Sequence, residues 1–249
     1  MKVLVVNVNT SASMTAVIAE SARRYASEGT EIVALQPVFG AEGVDCNFES
    51  YLAAVGVMDR VVTYEEPFDA VVLAGFGEHG RDGLQELLEQ PVVEICEAAA
   101  HAAMMIGRTF SVVTTLRRSA AAVEDRLLLA GLGQRCASVR ATDMSTSEVD
   151  RDPDAALVSI IEEARRAVEV DHAEVICLGC AGMAGLEEAI TEQLGVPVID
   201  GVGAAVRFAE VLVGLDLRTS KVGAYAPPEP KEITGWPLSR ALDVDHPGQ

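Results

Sequence analysis

Two segments of this sequence are built alike, and the repeat constrains the fold more than any other feature. Asp69-Ala70-Val71-Val72-Leu73-Ala74-Gly75-Phe76-Gly77 and Glu174-Val175-Ile176-Cys177-Leu178-Gly179-Cys180-Ala181-Gly182 each run through continuous apolar residues into a small-residue loop. Laid over each other, they put Gly75 opposite Cys180. A strand that stays apolar without alternation is buried on both faces, as in a parallel sheet covered by helices. Strand-like runs recur at 2–6, 31–35, 69–73, 92–95, 110–114, 137–140, 174–178, 196–199 and 221–224. Helical stretches at 13–27, 83–89, 97–105, 119–130, 154–171, 186–193 and 204–212 separate most of them.

The repeat extends beyond the two loops. Pro91-Val92-Val93-Glu94 matches Pro197-Val198-Ile199-Asp200, and the stretch from Arg108 to Val113 resembles that from Arg218 to Gly223. The expected fold class is therefore α/β: two pseudo-symmetric Rossmann-like lobes with parallel sheets and an interlobe active-site cleft. The lobes are expected at residues 1–107 and 108–220, with a last strand near 221–225 packing back onto the first. A Pro-rich tail over 226–249 follows, with Trp236 as its anchor.

In open parallel sheets the ligand crevice lies at the carboxyl ends of the strands. The loops expected there carry Asn9, Thr10 and Ser11; Gly75, Phe76 and Gly77; Thr114 and Thr115; and Gly179, Cys180 and Ala181. These are short amides, hydroxyls and bare backbone N–H groups with one thiol. Such an inventory suits a small carbonyl compound whose oxygens are held while charge develops on the neighbouring carbon, with Cys180 moving a proton at that carbon. Asn9, Thr10 and Ser11 serve equally well as caps of the helix that follows them.

Composition narrows the partners. The formal net charge of −19 argues against a nucleic-acid surface or an anionic membrane surface, both of which require clustered Lys and Arg. No apolar run reaches the ~18 residues of a spanning helix and the N-terminus lacks a signal-peptide pattern, so cytoplasmic localisation is expected. There is no phosphate-binding G-x-x-x-x-G-K-[ST] loop and no G-x-G-x-x-G after the first strand, and no cofactor is expected. The five cysteines, an odd number, do not suit a disulfide framework. Cys177 and Cys180 have C-x-x-C spacing but no second pair to complete a zinc site, and Cys177 sits inside an apolar run; no metal is expected, and Cys177 is read as a core residue.

Asn7-Val8-Asn9-Thr10-Ser11, Phe110 to Leu116, Leu178-Gly179-Cys180-Ala181-Gly182-Met183, Gly195 to Val202 and Arg218 to Val222 stand in this order along nearly the whole chain. In these stretches the chain resembles the hydantoin racemase branch of the aspartate/glutamate racemase superfamily. The resemblance implies cofactor-independent racemisation of hydantoins or allantoin by two cysteines on opposite faces of an acidic carbon, and a homo-oligomer. Val44 and Cys46 fall in a segment similar to one that lines the substrate in the family, where the last position is ordinarily Gly.

One departure stands out. The second family cysteine maps to Cys180, but the first maps to Gly75, and the Asp-Pro-Gly expected after it is Glu78-His79-Gly80. In the racemase reading another group must serve the vacated face, and His79, Glu78 and Cys46 are the candidates. Returning a thiol by Gly75→Cys should then enhance two-thiol chemistry. The alternative is a lyase: arylmalonate decarboxylases are similar in pairing Gly at the first position with Cys at the second, and one thiol protonates the carbanion left by CO2. A small-molecule binder without turnover is the third reading. The spread of motifs along the chain favours the isomerase.

Overall fold

The computed structural model describes residues 1–231; Trp236, expected as the anchor of the tail, and most of that tail lie outside them. Eight strands form two four-stranded parallel sheets. The first contains β1 (Lys2–Asn7), β2 (Glu31–Leu35), β3 (Ala70–Ala74) and β4 (Val92–Glu94) in the order β2-β1-β3-β4. The second contains β5 (Phe110–Thr114), β6 (Cys136–Ala141), β7 (Val175–Leu178) and β8 (Val198–Ile199) in the order β6-β5-β7-β8. The two orders are the same permutation, as the internal repeat requires. Central strands β3, β5 and β7 are buried along their whole length, which is why their sequences do not alternate.

Nine α-helices lie among the described residues: α1 (Ala12–Tyr25), α2 (Asn47–Val62), α3 (Arg81–Leu87), α4 (Ile95–Ile106), α5 (Arg117–Leu129), α6 (Thr146–Arg151), α7 (Pro153–Glu169), α8 (Glu187–Leu194) and α9 (Gly201–Gly214). The matched Glu94 and Asp200 end pseudo-equivalent strands, and each carboxylate caps the helix that follows. Glu94 accepts from the N–H groups of Cys96 and Glu97, and Asp200 from that of Val202. A carboxylate at the positive end of a helix dipole is favourable, so the repeat in sequence is a repeat of capping chemistry.

Packing does not follow the expected division at residue 107. Val202, Ala205, Val206 and Ala209 of α9 lie in one core with Val3, Val5 and Val72 of the first sheet. Conversely, Cys96, Ala99, Ala100 and Ala103 of α4 pack against Phe110, Val112 and Cys177 of the second. Each lobe thus borrows the helix that leaves the other's last strand, and α4 and α9 tie the two sheets together. Close approach there needs small residues: a Cβ on Gly203 would lie 2.4 Å from the Tyr25 ring, and one on Gly201 would lie 2.8 Å from the Ile95 carbonyl.

One further expectation is corrected. The last strand near 221–225 is instead a 3-10 turn at Gly223–Tyr225, with Gly223 at φ 79°, a left-handed backbone that interrupts extension. Its neighbourhood does return to the first lobe: Thr219 N–H donates to the Glu89 carbonyl and Lys221 Nζ to that of Glu86. The helix α2, absent from the sequence reading, forms a full wall of the cleft.

Candidate active site

The carboxyl ends of both sheets meet at one cavity of about 600 Å3. Asn9 after β1, the Gly75–Gly80 loop after β3, Thr114 and Thr115 at the end of β5, and Gly179–Ala181 after β7 all line it, while α2 and α5 form its sides. Val44 and Cys46 reach it from the loop before α2, and Phe76 joins the cavity wall to the cores of both lobes.

Cys180 is held in place by its neighbour. A Cβ on Gly179 would lie 2.7 Å from Val112 Cγ1 and 2.9 Å from the Val113 carbonyl, so only glycine lets the chain leave β7 this close to β5. Gly179 N–H donates to that Val113 carbonyl at 2.8 Å, and the Thr114 hydroxyl donates to the Gly179 carbonyl at 3.2 Å. Burial pushes the Cys180 thiol up to about 11, and the Asp45 and Asp150 carboxylates add to the shift; the N–H groups of Gly182 and Met183, turned toward the sulfur, oppose it without winning. At neutral pH the group is a thiol. Cys177, three residues earlier, is sealed in the second core.

On the pseudo-equivalent loop the space beside Gly75 is already filled. A Cβ there would lie 2.4 Å from His79 Cδ2 and 2.5 Å from Val8 Cγ1. The imidazole therefore stands where a side chain from position 75 would project. Burial alone pushes His79 down to about 4, so the ring is neutral at pH 7. Its Nδ1 lies 3.0 Å from Ser50 Oγ on α2. Gly77 at φ 147° and Gly80 at φ 96° let the loop fold tightly enough to bring the ring back over Gly75.

Other expected site residues take different places. Glu78 lies on the cavity wall but is exposed, and one of its carboxylate oxygens accepts from Gly80 N–H at 2.9 Å. Cys46 is the N-cap residue of α2, where Glu49 accepts its backbone N–H. Thr10 and Ser11 stand outside the cavity lining. Ser11 caps α1 by accepting from Met14 N–H, and its hydroxyl donates to Asp150 at 2.9 Å. Asn9 is buried, with its side-chain N–H on the Met14 sulfur at 3.1 Å, a weak acceptor.

Sequence reasoning missed a clasp across the cleft. The short helix α6 of the second lobe is fastened to the first at two points: Asp150 accepts from Ser11 and Ser13, and Thr146 donates through both N–H and hydroxyl to Asp45. Nothing in a single sequence pairs residues about a hundred positions apart. Ser50 was missed with α2, and the cavity-lining face of α5, Ser119, Ala122 and Arg126, was legible only as helical spacing.

The two-lobed architecture with its interlobe cavity is that of the racemases and their structural relatives. A glutamate racemase of Bacillus anthracis superposes with a TM-score of 0.62 over 87% of this chain and 82% of its own, at 16% identity, which reflects the shared fold. Much nearer is the crystal structure of allantoin racemase from Pseudomonas fluorescens, with a TM-score of 0.93 and 62% identity, covering 94% of this chain and 100% of that one. A hydantoin racemase of Pseudomonas sp. is 41% identical over 94% of this chain and 95% of its own. The Asp/Glu/Hydantoin racemase family profile matches residues 3–209. The chain belongs to the Asp/Glu/hydantoin racemase family and is an isomerase of the racemase type.

Proposed function

We propose that the protein racemises a 5-substituted hydantoin, with allantoin foremost, without a cofactor, using His79 and Cys180 as the proton carriers of opposite faces. The observation that carries this reading is the imidazole of His79 filling the space beside Gly75, on the loop pseudo-equivalent to the one that bears Cys180. The protonation states suit the task. A neutral imidazole accepts a proton, and a thiol whose proton is held up to about pH 11 donates one.

In one direction His79 takes the proton from the ring carbon, whose electron pair delocalises into the adjacent carbonyl, and Cys180 delivers its thiol proton to the other face. The enzyme is left with imidazolium and thiolate. Water returns the proton from His79 to Cys180, or the reverse reaction begins from that state. The Asn9 amide N–H and the Thr115 hydroxyl, both on the cavity wall, hold the carbonyl oxygens in this reading as charge builds on them, while the Thr114 proton stays on the Gly179 carbonyl. Exposed Phe48 and Tyr51 of α2 and Leu128 and Leu129 of α5 support a homo-oligomer. Among the described residues no helix is long and apolar enough to cross a membrane, in keeping with a cytoplasmic enzyme.

The test is loss of optical activity of single hydantoin and allantoin enantiomers in D2O, followed by circular dichroism and mass spectrometry. Racemisation with one deuterium gained at the ring carbon is expected. Release of CO2 from an arylmalonate, without hydantoin turnover, would assign the protein to the lyase reading.

A further inference from the structure

One guanidinium on the cavity wall is held from behind and open in front. Arg126 of α5 lines the cavity with a side chain only 7% exposed. Its Nε donates to Glu94 at 3.2 Å and its Nη2 to Glu97 at 2.8 Å, so two carboxylates at the start of α4 fix the plane of the group. Nη1 has no partner among the described residues and is not sealed from solvent. A largely buried charged donor without a partner is costly, and the cavity is the space from which a partner can come. Glu78, on the loop after β3, lines the same cavity and lies near enough for its charge to act on Arg126, yet the two are not an ion pair. One of its carboxylate oxygens is taken by Gly80 N–H at 2.9 Å, and the other remains to accept.

We infer that Arg126 and Glu78 form the subsite for a ureido substituent on the hydantoin ring, Arg126 Nη1 donating to its carbonyl oxygen and Glu78 accepting from its N–H groups, and that they set a preference for allantoin over hydantoins with apolar substituents. A ureido group carries an acceptor beside donors, and a guanidinium near a carboxylate is the complementary pair. Charge argues against the other class of acceptor, a substituent carboxylate: Asp45, Glu78, Asp82 and Asp125 outnumber Arg118 and Arg126 on the lining. An alkyl or aryl substituent would cover Nη1 without bonding it, and a site built to hydrogen-bond its substrate rejects an analogue that leaves its donors unpaired. Ala122, one turn before Arg126 on the same face of α5, offers only a methyl and leaves room there. Neither Arg126 nor Glu78 touches the reacting carbon in this assignment; both select what the ring carries.

The inference rests on the racemase reading, and two measurements keep the claims apart. The first is kcat/KM for allantoin divided by that for 5-benzylhydantoin, in the full-length protein. The wild type should favour allantoin. Glu78→Gln should lower the ratio about ten- to hundredfold, the range of a hydrogen bond that involves a charge: the one oxygen of the glutamine is taken by Gly80 N–H, and its amide N–H groups meet the ureido donors. Arg126→Met should act in the same direction. Because it also deprives Glu94 and Glu97 of their partner, its fold is checked by circular dichroism, and the exposed Glu78 carries the test if that variant unfolds. A merely structural role of either residue would lower both rates together and leave the ratio unmoved. The second measurement is calorimetric binding of both compounds to Cys180→Ser, with and without Glu78→Gln, which reports the subsite without turnover. A wild-type ratio in Glu78→Gln, or a wild type that favours 5-benzylhydantoin, overturns the inference. Selective loss of allantoin binding on adding Glu78→Gln, when the wild type racemises neither compound, upholds the subsite and overturns the racemase reading.

Discussion

A Cβ added to Gly75 would come within 2.4 Å of Cδ2 of His79, so the two positions cannot both project a side chain into the same corner of the cleft. The imidazole occupies the space that a side chain at position 75 would need.

That exclusion changes the outcome expected of Gly75→Cys. The single variant must displace both the ring and Val8, and should lose about 1–3 kcal/mol of stability through overpacking, with activity falling because His79 is moved. Combined with His79→Ala, which removes the ring and leaves only Val8, 2.5 Å away, to give way, the same cysteine should cost less stability and turnover should recover above that of His79→Ala alone. Chemical denaturation and initial rates of the two single variants and the double variant measure the coupling. Additive stability effects would mean the ring does not occupy that space.

Cys180 titrates high, and its reactivity should show it. Only the thiolate is nucleophilic, so carboxamidomethylation of Cys180, located by peptide mapping, should be slow at pH 7 and accelerate with a midpoint near 11 in the free enzyme. Cys180→Ser should lower racemisation by roughly two to four orders of magnitude, the range of a general acid, while the protein stays folded. A midpoint below 8 would contradict the burial argument.

The depressed His79 gives a pH signature in stability. The folded ring stays neutral until about pH 4, whereas the unfolded chain binds a proton at the ordinary histidine value near 6.5. Between those values the unfolded state carries more protons, so stability falls as pH is lowered from 6.5 toward 4. His79→Gln removes this contribution. Melting curves across that window should show a smaller decline in the variant than in the wild type, by on the order of 1–3 kcal/mol at pH 4; equal declines would remove the assignment.

The α6 clasp predicts an effect on binding rather than chemistry. Asp150→Ala breaks the bonds from Ser11 and Ser13, and leaves Asp45 with Thr146 as the remaining latch. With each such bond worth about 1 kcal/mol, KM should rise several-fold with kcat changing less. Wild-type KM in Asp150→Ala together with Thr146→Val would show that the clasp does not govern the cleft.

Much of this architecture was legible because its central strands are apolar throughout and its loops repeat. Leu73-Ala74-Gly75 over Leu178-Gly179-Cys180 gave the pairing of the two loops directly. The helix α2 escaped notice because its N-cap, Cys46, is not one of the usual oxygen-bearing caps and because Gly56 interrupts it. That glycine marks a close approach rather than a break: a Cβ there would lie 3.0 Å from Pro37 Cβ and 3.1 Å from the Phe39 carbonyl. The exchange of α4 and α9 between lobes was not legible either, since apolar periodicity shows that a helix is buried without showing which sheet it covers. His79 was within reach as a candidate by sequence distance alone. Its place over Gly75 and its partner Ser50 required the fold.

The proposed reaction gives the His79 imidazole the face of the ring carbon opposite Cys180. The most direct measurement is the initial rate of racemisation of each enantiomer of allantoin by His79→Gln, with the fold checked by circular dichroism. A fall of roughly two to four orders of magnitude in both directions is expected, in a protein that remains folded. Racemisation at the wild-type rate in that variant, with Cys180→Ser inactive, would contradict it.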